Sequence, residues 1–311
     1  MVARAIGKGL NMNPCSVQIL LSTWNGERWL PELLESLRWQ TFQDWQLLVR
    51  DDGSSDQTLR ILLEWQDANP DKVAGILSDG VHLGSTQSFS RLVEFSVAPY
   101  LLFCDQDDVW FPEKVELQYI RLRSLQGEYG EETPLLVHSD LAMVDHKRQL
   151  LSVSFWEYRG FDVGQARRAY LLDNIVTGCA TAFNRAAADL AFPLPVQAMQ
   201  HDRWLALVCA WFGHVRAIPH PLLLYRQHEG NALGAEPGSL RGLEARIQAW
   251  SGQAAAFLQR FGGQMTVEDY RQVEALADLS HVHGWERRQH IVRHRLFKQG
   301  VWANLALLLF A

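Results

Sequence analysis

Asp105, Asp107 and Asp108 fall within four positions at the end of the apolar run "LLFC", a concentration of negative charge that needs an explanation. Carboxylates at the end of a buried strand repel one another, and loss of water raises their pKa unless positive charge is supplied. Hard oxygen ligands suit Mg2+ or Mn2+, which commonly bind through one or two protein carboxylates while substrate phosphates complete the shell. A nucleotide diphosphate is then a natural second ligand. Taken alone, the stretch has a plainer account, in which Asp107 or Asp108 caps a helix starting near Pro112 and the other carboxylates are solvated.

Three further stretches carry chemistry. "VRDDGSSDQT" (49–58) is a second acidic turn, where Asp51 or Asp52 can accept a nucleobase N–H or a ribose hydroxyl, and Ser55 or Asp56 can start a helix. "QHDRWLALV" (200–208) sets His201 and Asp202 before an apolar helix. Asp202 is a candidate N-cap and equally a candidate base for a hydroxyl proton. "LYRQHEGN" (224–231) puts Arg226 and His228 after an apolar strand. A neutral imidazole can complete a divalent-metal shell, and Arg226 can meet a phosphate or pair with a structural carboxylate.

These residues need a scaffold that gathers strand ends. "VQILLS" (17–22), "WQLLVR" (45–50), "VAGIL" (73–77) and "YLLFC" (100–104) read as buried strands. Between them lie helical patterns: Leu30, Leu33, Leu34 and Leu37, then Leu59, Leu62 and Leu63, then Ser85 to Ser96. Strand–helix alternation at this spacing predicts a mainly parallel sheet covered by helices, with ligands at the carboxyl ends of the strands. Both acidic clusters fall at such ends. A helix near 113–126 follows, then core segments "LLVHSDLAMVD" and "IVTGCATAFN", a helix "HDRWLALVCAWFG", and extended "HVRAIPHPLLLYRQH".

The style breaks at "EGNALGAEPGS", so the chain divides into an N-terminal extension (1–15), an α/β domain (16–235) and a C-terminal helical region (236–311). In the last, Leu240, Leu243, Ile247, Trp250, Ala254, Phe257 and Phe261 repeat at helical spacing, and Thr266 with Asp269 forms a variant capping box.

With 311 residues, 48% apolar and 21% charged, the chain can bury a substantial core. A net charge of −6 argues against a nucleic-acid partner. Residues 240–311 nevertheless carry nine Lys/Arg against six Asp/Glu, so the tail is basic relative to the body. Cys15, Cys104, Cys179 and Cys209 are scattered in apolar surroundings, as expected of buried free thiols in a reducing compartment. A cytoplasmic location is expected, because the N-terminus has no apolar core of signal-peptide length. The C-terminal "VWANLALLLFA" is too short to span a bilayer. It can pack on the body or, with Arg287, Arg288, Arg293, Arg295 and Lys298, lie peripherally on an anionic membrane.

In their order, "LLSTWNGERWLPELLESLRWQTFQDWQLLVRDDGSSD", "CDQDD", "HD" and "YRQH" resemble glycosyltransferase family 2, nucleotide-sugar enzymes of GT-A fold, over about residues 16 to 234. "GSTQSF", "DQDDVWFPEK", "TGCATAFNR", "HDRWLAL" and "YRQHEGN" look most like bacterial rhamnosyltransferases that use dTDP-L-rhamnose; Gln87 departs from the Asn usual before Phe in such members. The resemblance implies that Ser22, Thr23, Trp24 and Glu27 line the nucleotide site, with Asp51 or Asp52 on base or ribose and Arg226 near the donor. It implies that Asp105 and Asp107 hold the metal (Mg2+ or Mn2+) and diphosphate, with His228 as a further ligand, and that Asp202 is the catalytic base. The implied reaction is a single inverting displacement onto a hydroxyl of a glycan acceptor in surface-polysaccharide assembly, a setting in which the acceptor can be lipid-linked. A UDP- or GDP-sugar donor, or a non-catalytic binding member, is the alternative. A nucleotidyltransferase is disfavoured because the start of the chain lacks a basic Gly-rich triphosphate loop.

Overall fold

The structure, a computed structural model, describes residues 4–6, 14–164, 167–228 and 242–310. The boundary expected near 236 and the segment "EGNALGAEPGS" lie outside the described residues. Ten strands form one sheet: β1 (Arg4–Ile6), β2 (Val17–Thr23), β3 (Trp45–Asp51), β4 (Val73–Ser78), β5 (Tyr100–Asp105), β6 (Val109–Trp110), β7 (Leu135–Val144), β8 (Leu150–Ser152), β9 (Thr181–Asn184) and β10 (His214–Arg226). Their order is β1–β4–β3–β2–β5–β9–β7–β10–β6, with β8 paired to β7 off that path. Among the described residues eleven helices accompany them: α1 (Leu30–Arg38), α2 (Thr58–Ala68), α3 (Ser85–Phe95), α4 (Lys114–Tyr129), α5 (Phe155–Arg159), α6 (Arg185–Ala191), α7 (His201–Phe212), α8 (Leu243–Phe261), α9 (Val267–Ala277), α10 (Gly284–Arg293) and α11 (Val301–Phe310).

The four strands β4–β3–β2–β5 are parallel, as the alternation with helices predicts. Beyond β5 the sheet becomes mixed, because β9 runs antiparallel to both β5 and β7, while β10 returns parallel to β7. Only the last four residues of "IVTGCATAFN" are strand; Gly178–Ala180 is a 3-10 turn. Pro219 and Pro221 donate no ladder hydrogen bond, and the β10–β7 register shifts between Ile218 and Pro221 and again before Leu224.

Period-2 alternation sends side chains to two cores. Ile19, Leu21, Leu47 and Val49 face α1, α2 and α4, where Leu30, Leu33, Leu34 and Leu37 are all buried. Leu20, Leu48 and Phe103 face α3 and α7, and this second core continues without a break into the C-terminal helices through Trp250, Phe257, Val273 and Ile291. The stripe read from sequence is thus the packed face of α8: its members from Ile247 to Phe261 are buried, Leu243 is partly buried, and Leu240 lies outside the described residues.

Phe257 is the hub of that junction, with ring centroids 5.7 Å from Trp204, 5.8 Å from Trp211 and 5.1 Å from Phe261. Phe257→Ala should cost about 3–5 kcal/mol in urea unfolding, the range for emptying a large aromatic site. A loss below about 1 kcal/mol, outside that range, would mean the tail is not anchored there.

Thr266 does start α9, its hydroxyl accepting the Asp269 N–H at 3.2 Å. The Asp269 carboxylate is held by Arg167 at 2.7 and 2.8 Å, which ties α9 to the body.

Candidate active site

Register decides which side chains meet. In the parallel ladders Ser22 lies opposite Asp105 on one side and Arg50 on the other, and Thr23 lies opposite Asp51. The carboxyl ends of β2, β3 and β5 therefore bring both acidic stretches to one rim, as read from sequence.

On the β3 side the two aspartates have different work. Asp51 organises the turn: it accepts the Ser54 hydroxyl at 2.6 Å, the Ser54 N–H at 3.1 Å and the Thr23 hydroxyl at 3.2 Å. Asp52 pairs with the buried Arg50 guanidinium and accepts the Leu83 and Gly84 N–H groups at 2.7 and 2.8 Å, pinning the loop before α3. Gln57 occupies the N-cap position of α2; Asp56 just before it accepts the Thr58 N–H at 2.9 Å, and Glu27 accepts the Gln57 N–H at 2.9 Å. Trp24 is half exposed and its ring lies 4.5 Å from that of His82, an aromatic pair at the rim that sequence reading missed on the His82 side. Gln106 clasps the Trp24 backbone at both N–H and carbonyl, each at 2.9 Å, so the platform is tied to the acidic loop.

In that loop, Asp107 and His228 meet, with Oδ2 to Nε2 at 2.9 Å. Asp108 is neither helix cap nor solvated: α4 begins after Glu113, and Asp108 is 1% exposed. One of its oxygens accepts the Arg226 N–H at 3.3 Å, while the other, also buried, meets no N–H or O–H donor among the described residues, only the weakly donating thiol of Cys179 beside it. Asp105, Asp108 and the Cys179 thiol bring ligand atoms within 4.8 Å of one another. Burial, then the charges of Asp107 and Asp202, pushes Asp105 up to about 7; burial and its two neighbours push Asp108 up as well. An undercompensated, oxygen-rich pocket with one buried oxygen lacking an N–H or O–H donor fits a divalent cation. The buried Lys114 is the nearby fixed cation, held by Gln118 at 2.8 Å and over the Trp110 ring, and burial pushes it down to about 8.

Arg226 requires a correction. Its guanidinium is 2% exposed and engages Glu32 at 2.6 Å, the Asp107 carbonyl at 2.9 Å and the face of Trp29. It is a structural clamp on the acidic loop rather than an arm reaching for phosphate. His228 stacks on the same Trp29 with centroids 5.1 Å apart.

Asp202 lies in the first turn of α7 but does not cap it; Gln200 occupies the N-cap position. Its carboxylate accepts the Arg203 N–H at 2.6 Å and also bonds the Gly178 N–H and the Asn174 side chain. Burial outweighs these bonds and pushes it up to about 6. The neighbouring His201 is held neutral by burial, which lowers it to about 3, and packs 4.1 Å from the Phe89 ring. A Cβ on Gly178 would lie 2.8 Å from its Nε2, so only glycine fits between the two. Cys179, Gly178 and Asn174 sit some 70 residues beyond the acidic loop, and no spacing in the chain announces them.

The sequence model described as "Glycosyl transferase family 2" matches residues 18–190. The chain belongs to glycosyltransferase family 2. Within the family it is similar to a dTDP-rhamnosyl transferase of Shigella flexneri, 34% identical over 99 residues, which cover 31% of this chain and 34% of that protein. It is also similar to a UDP-Glc:alpha-D-GlcNAc-diphosphoundecaprenol beta-1,3-glucosyltransferase of Escherichia coli, 29% identical over 107 residues, 34% of this chain and 41% of that one. The match thus spans between a third and about two fifths of these two relatives. Among solved structures, S. aureus TarS in complex with UDP-GlcNAc superposes with TM-score 0.56 at 16% identity, over 90% of this chain and 79% of that one. The mannosyltransferase of Pyrobaculum calidifontis in complex with GDP-Man and Mn2+ gives 0.52 at 17% identity, over 96% and 86%. These likenesses establish the GT-A fold of this family 2 glycosyltransferase, including the mixed sheet and the helical C-terminal region. Asp202 and the Arg226–His228 stretch lie beyond the matched segment.

Proposed function

We propose that the protein is an inverting, divalent-cation-dependent glycosyltransferase that moves a sugar, L-rhamnose from dTDP-L-rhamnose in the leading case, to a hydroxyl of a glycan acceptor. Its setting would be the assembly of a bacterial surface polysaccharide. The observation that carries this is the convergence of Asp202 with the Asp105–Asp108 cluster: a Cβ at Gly178 would lie 3.7 Å from that of Asp202, and the next residue, Cys179, brings its thiol within 4.8 Å of carboxylate oxygens of Asp105 and Asp108.

The nucleotide would lie across the ends of β2 and β3, its base against Trp24 and His82 and near the Asp51 turn, with Ser22 and Thr23 beneath. Asp52, spent on Arg50 and two backbone N–H groups, shapes that pocket from behind. Asp105 and Asp107, with His228 and with Asp108 and Cys179 behind them, would hold Mg2+ or Mn2+, which supplies positive charge to the departing diphosphate. Asp202 takes the proton of the acceptor hydroxyl as that oxygen attacks the anomeric carbon from the face opposite the nucleotide. Asn174 and Gly178 orient the carboxylate, and the apolar wall of Phe89 and His201 keeps it poorly solvated. A β-linked rhamnosyl donor would give an α-rhamnoside.

Rhamnose is supported by the Shigella relative and by the motif set "GSTQSF" to "YRQHEGN". The E. coli relative makes a UDP-sugar the second donor to try. A donor screen read by mass spectrometry tests both: dTDP-rhamnose, UDP-sugars and GDP-sugars are each incubated with protein and Mg2+ or Mn2+. Nucleotide release or transfer with dTDP-rhamnose alone is the expected result. Turnover confined to a UDP- or GDP-sugar would replace the donor, and binding without turnover of any donor would make this a non-catalytic member.

A further inference from the structure

We propose that α10 and α11 form a docking surface for an anionic lipid bilayer, and that the connector between them fixes the loop of the catalytic base beside that surface. The surface stands independently of the donor. Its use in presenting a lipid-linked acceptor rests on the glycosyltransferase reading.

α10 buries Arg287 and Ile291 and turns Trp285 and Val292 outward, with Trp285 69% exposed. α11 contains no charged residue; Leu307 is buried, whereas Leu305 and Leu309 face out, the latter 64% exposed. Between the two helices runs a groove of about 760 Å³ whose lining includes Trp285, Val292, Arg293 and Leu308. Arg293 in that lining is exposed, Arg295 two positions on is exposed as well, and Arg288 donates to the Leu309 carbonyl at 3.0 Å. Arg287 and Lys298 are not part of this rim, since they pair with Glu244 and Asp173 at 2.7 and 2.9 Å. From residue 284 to 298 the sole acidic side chain is Glu286.

Charge complementarity selects the occupant. On a chain of net charge −6, a cationic apolar end is drawn to an anionic surface while the rest is repelled, which orients the molecule. A second copy of the same face would set Arg293 and Arg295 against themselves. Ten helical residues reach about 15 Å, half of a bilayer core of about 30 Å, so α11 lies along the interface rather than crossing it. Exposed Trp and Arg are the side chains that settle at headgroup depth. No helix among the described residues is long and apolar enough to cross a membrane.

The connector links this face to the chemistry. Gln299 N–H donates to Asp173 Oδ2 at 2.5 Å, the Gln299 side chain clasps the Asp162 backbone at 3.0 Å on both sides, and Lys298 pairs with Asp173. Two residues before Asp173, the Leu171 carbonyl accepts from the side chain of Arg203, the neighbour of Asp202 in α7, at 3.1 Å. An acceptor whose polar head stands off a lipid surface would be delivered to that carboxylate.

Co-sedimentation of the full chain with phosphatidylcholine vesicles, and with the same vesicles containing phosphatidylglycerol, tests the proposal. Binding is expected to the anionic vesicles only. Arg293→Ala with Arg295→Ala should lower that partition roughly thirtyfold, at about 1 kcal/mol per basic residue. Trp285→Ala should lower it too, while nucleotide release from the donor in vesicle-free buffer stays at wild-type level for all variants. Equal binding to both vesicle types, no binding, or a dimer in light scattering that Trp285→Ala dissolves would overturn it. Because donor turnover is read in the same samples, failure of the docking surface is distinguishable from failure of the enzymatic assignment.

Discussion

Asp202→Asn is expected to retain donor binding and to lose sugar transfer by about 10²–10⁴-fold, the usual contribution of a general base. The amide keeps the shape and can still accept the Arg203 and Gly178 N–H groups, but it has no basic oxygen for the acceptor proton. The wild-type pH profile should carry the signature of the same group. Burial, the largest influence, raises Asp202 from 3.8 to about 6, so transfer should climb as pH rises through about 6 and then level off. For stability the sign is opposite: the folded state prefers the neutral carboxyl, so raising pH from about 4 to about 6 removes stability, and Asp202→Asn should flatten that slope. Donor affinity by calorimetry, transfer by mass spectrometry and melting between pH 4 and 8 read all three. Wild-type transfer by Asp202→Asn would remove it from the base position.

The second large effect concerns the acidic loop. Asp105 and Asp108 are raised because burial and mutual repulsion go uncompensated, so a divalent cation should stabilise the fold as well as support transfer. At a free concentration about 100 times its Kd, a cation that binds only the native state adds about 2.7 kcal/mol, several degrees in Tm for a chain of this size. Asp105→Asn should melt higher than wild type in EDTA, having lost a repelling charge, yet gain little from Mn2+. Asp107→Ala should reduce the Mn2+ response and remove the 2.9 Å contact to the His228 ring nitrogen. Identical melting of wild type and Asp105→Asn in both buffers would refute a cation seat there.

The parts legible in the sequence were those set by short-range pattern. The four leucines of α1, the stripe of α8 and the strand ends at Asp51 and Asp105 depend on local spacing, and each forms where the spacing put it. Contacts between distant segments stayed hidden. The carboxylates of Asp108 and Asp107 differ in environment because the Arg226 N–H, 118 positions later, meets the first and the His228 ring, 121 positions later, meets the second. Arg226 was open to two readings because nothing near it in the chain marks Glu32 as its partner. The antiparallel β9 is four residues long, too brief for alternation to declare, and its approach through Gly178 and Cys179 is what completes the floor of the site.

The Asp162–Gln299 and Asp173–Lys298 contacts bear on how such a chain can be recombined. The family match ends at residue 190, which invites a chimera that joins one α/β body to another relative's tail. Such a splice would leave the loop carrying Asn174 without the basic connector that holds it. A tail exchanged between relatives would therefore have to travel with Asp162 and Asp173, and the two ends of these contacts would change together even though more than 120 positions separate them in the chain.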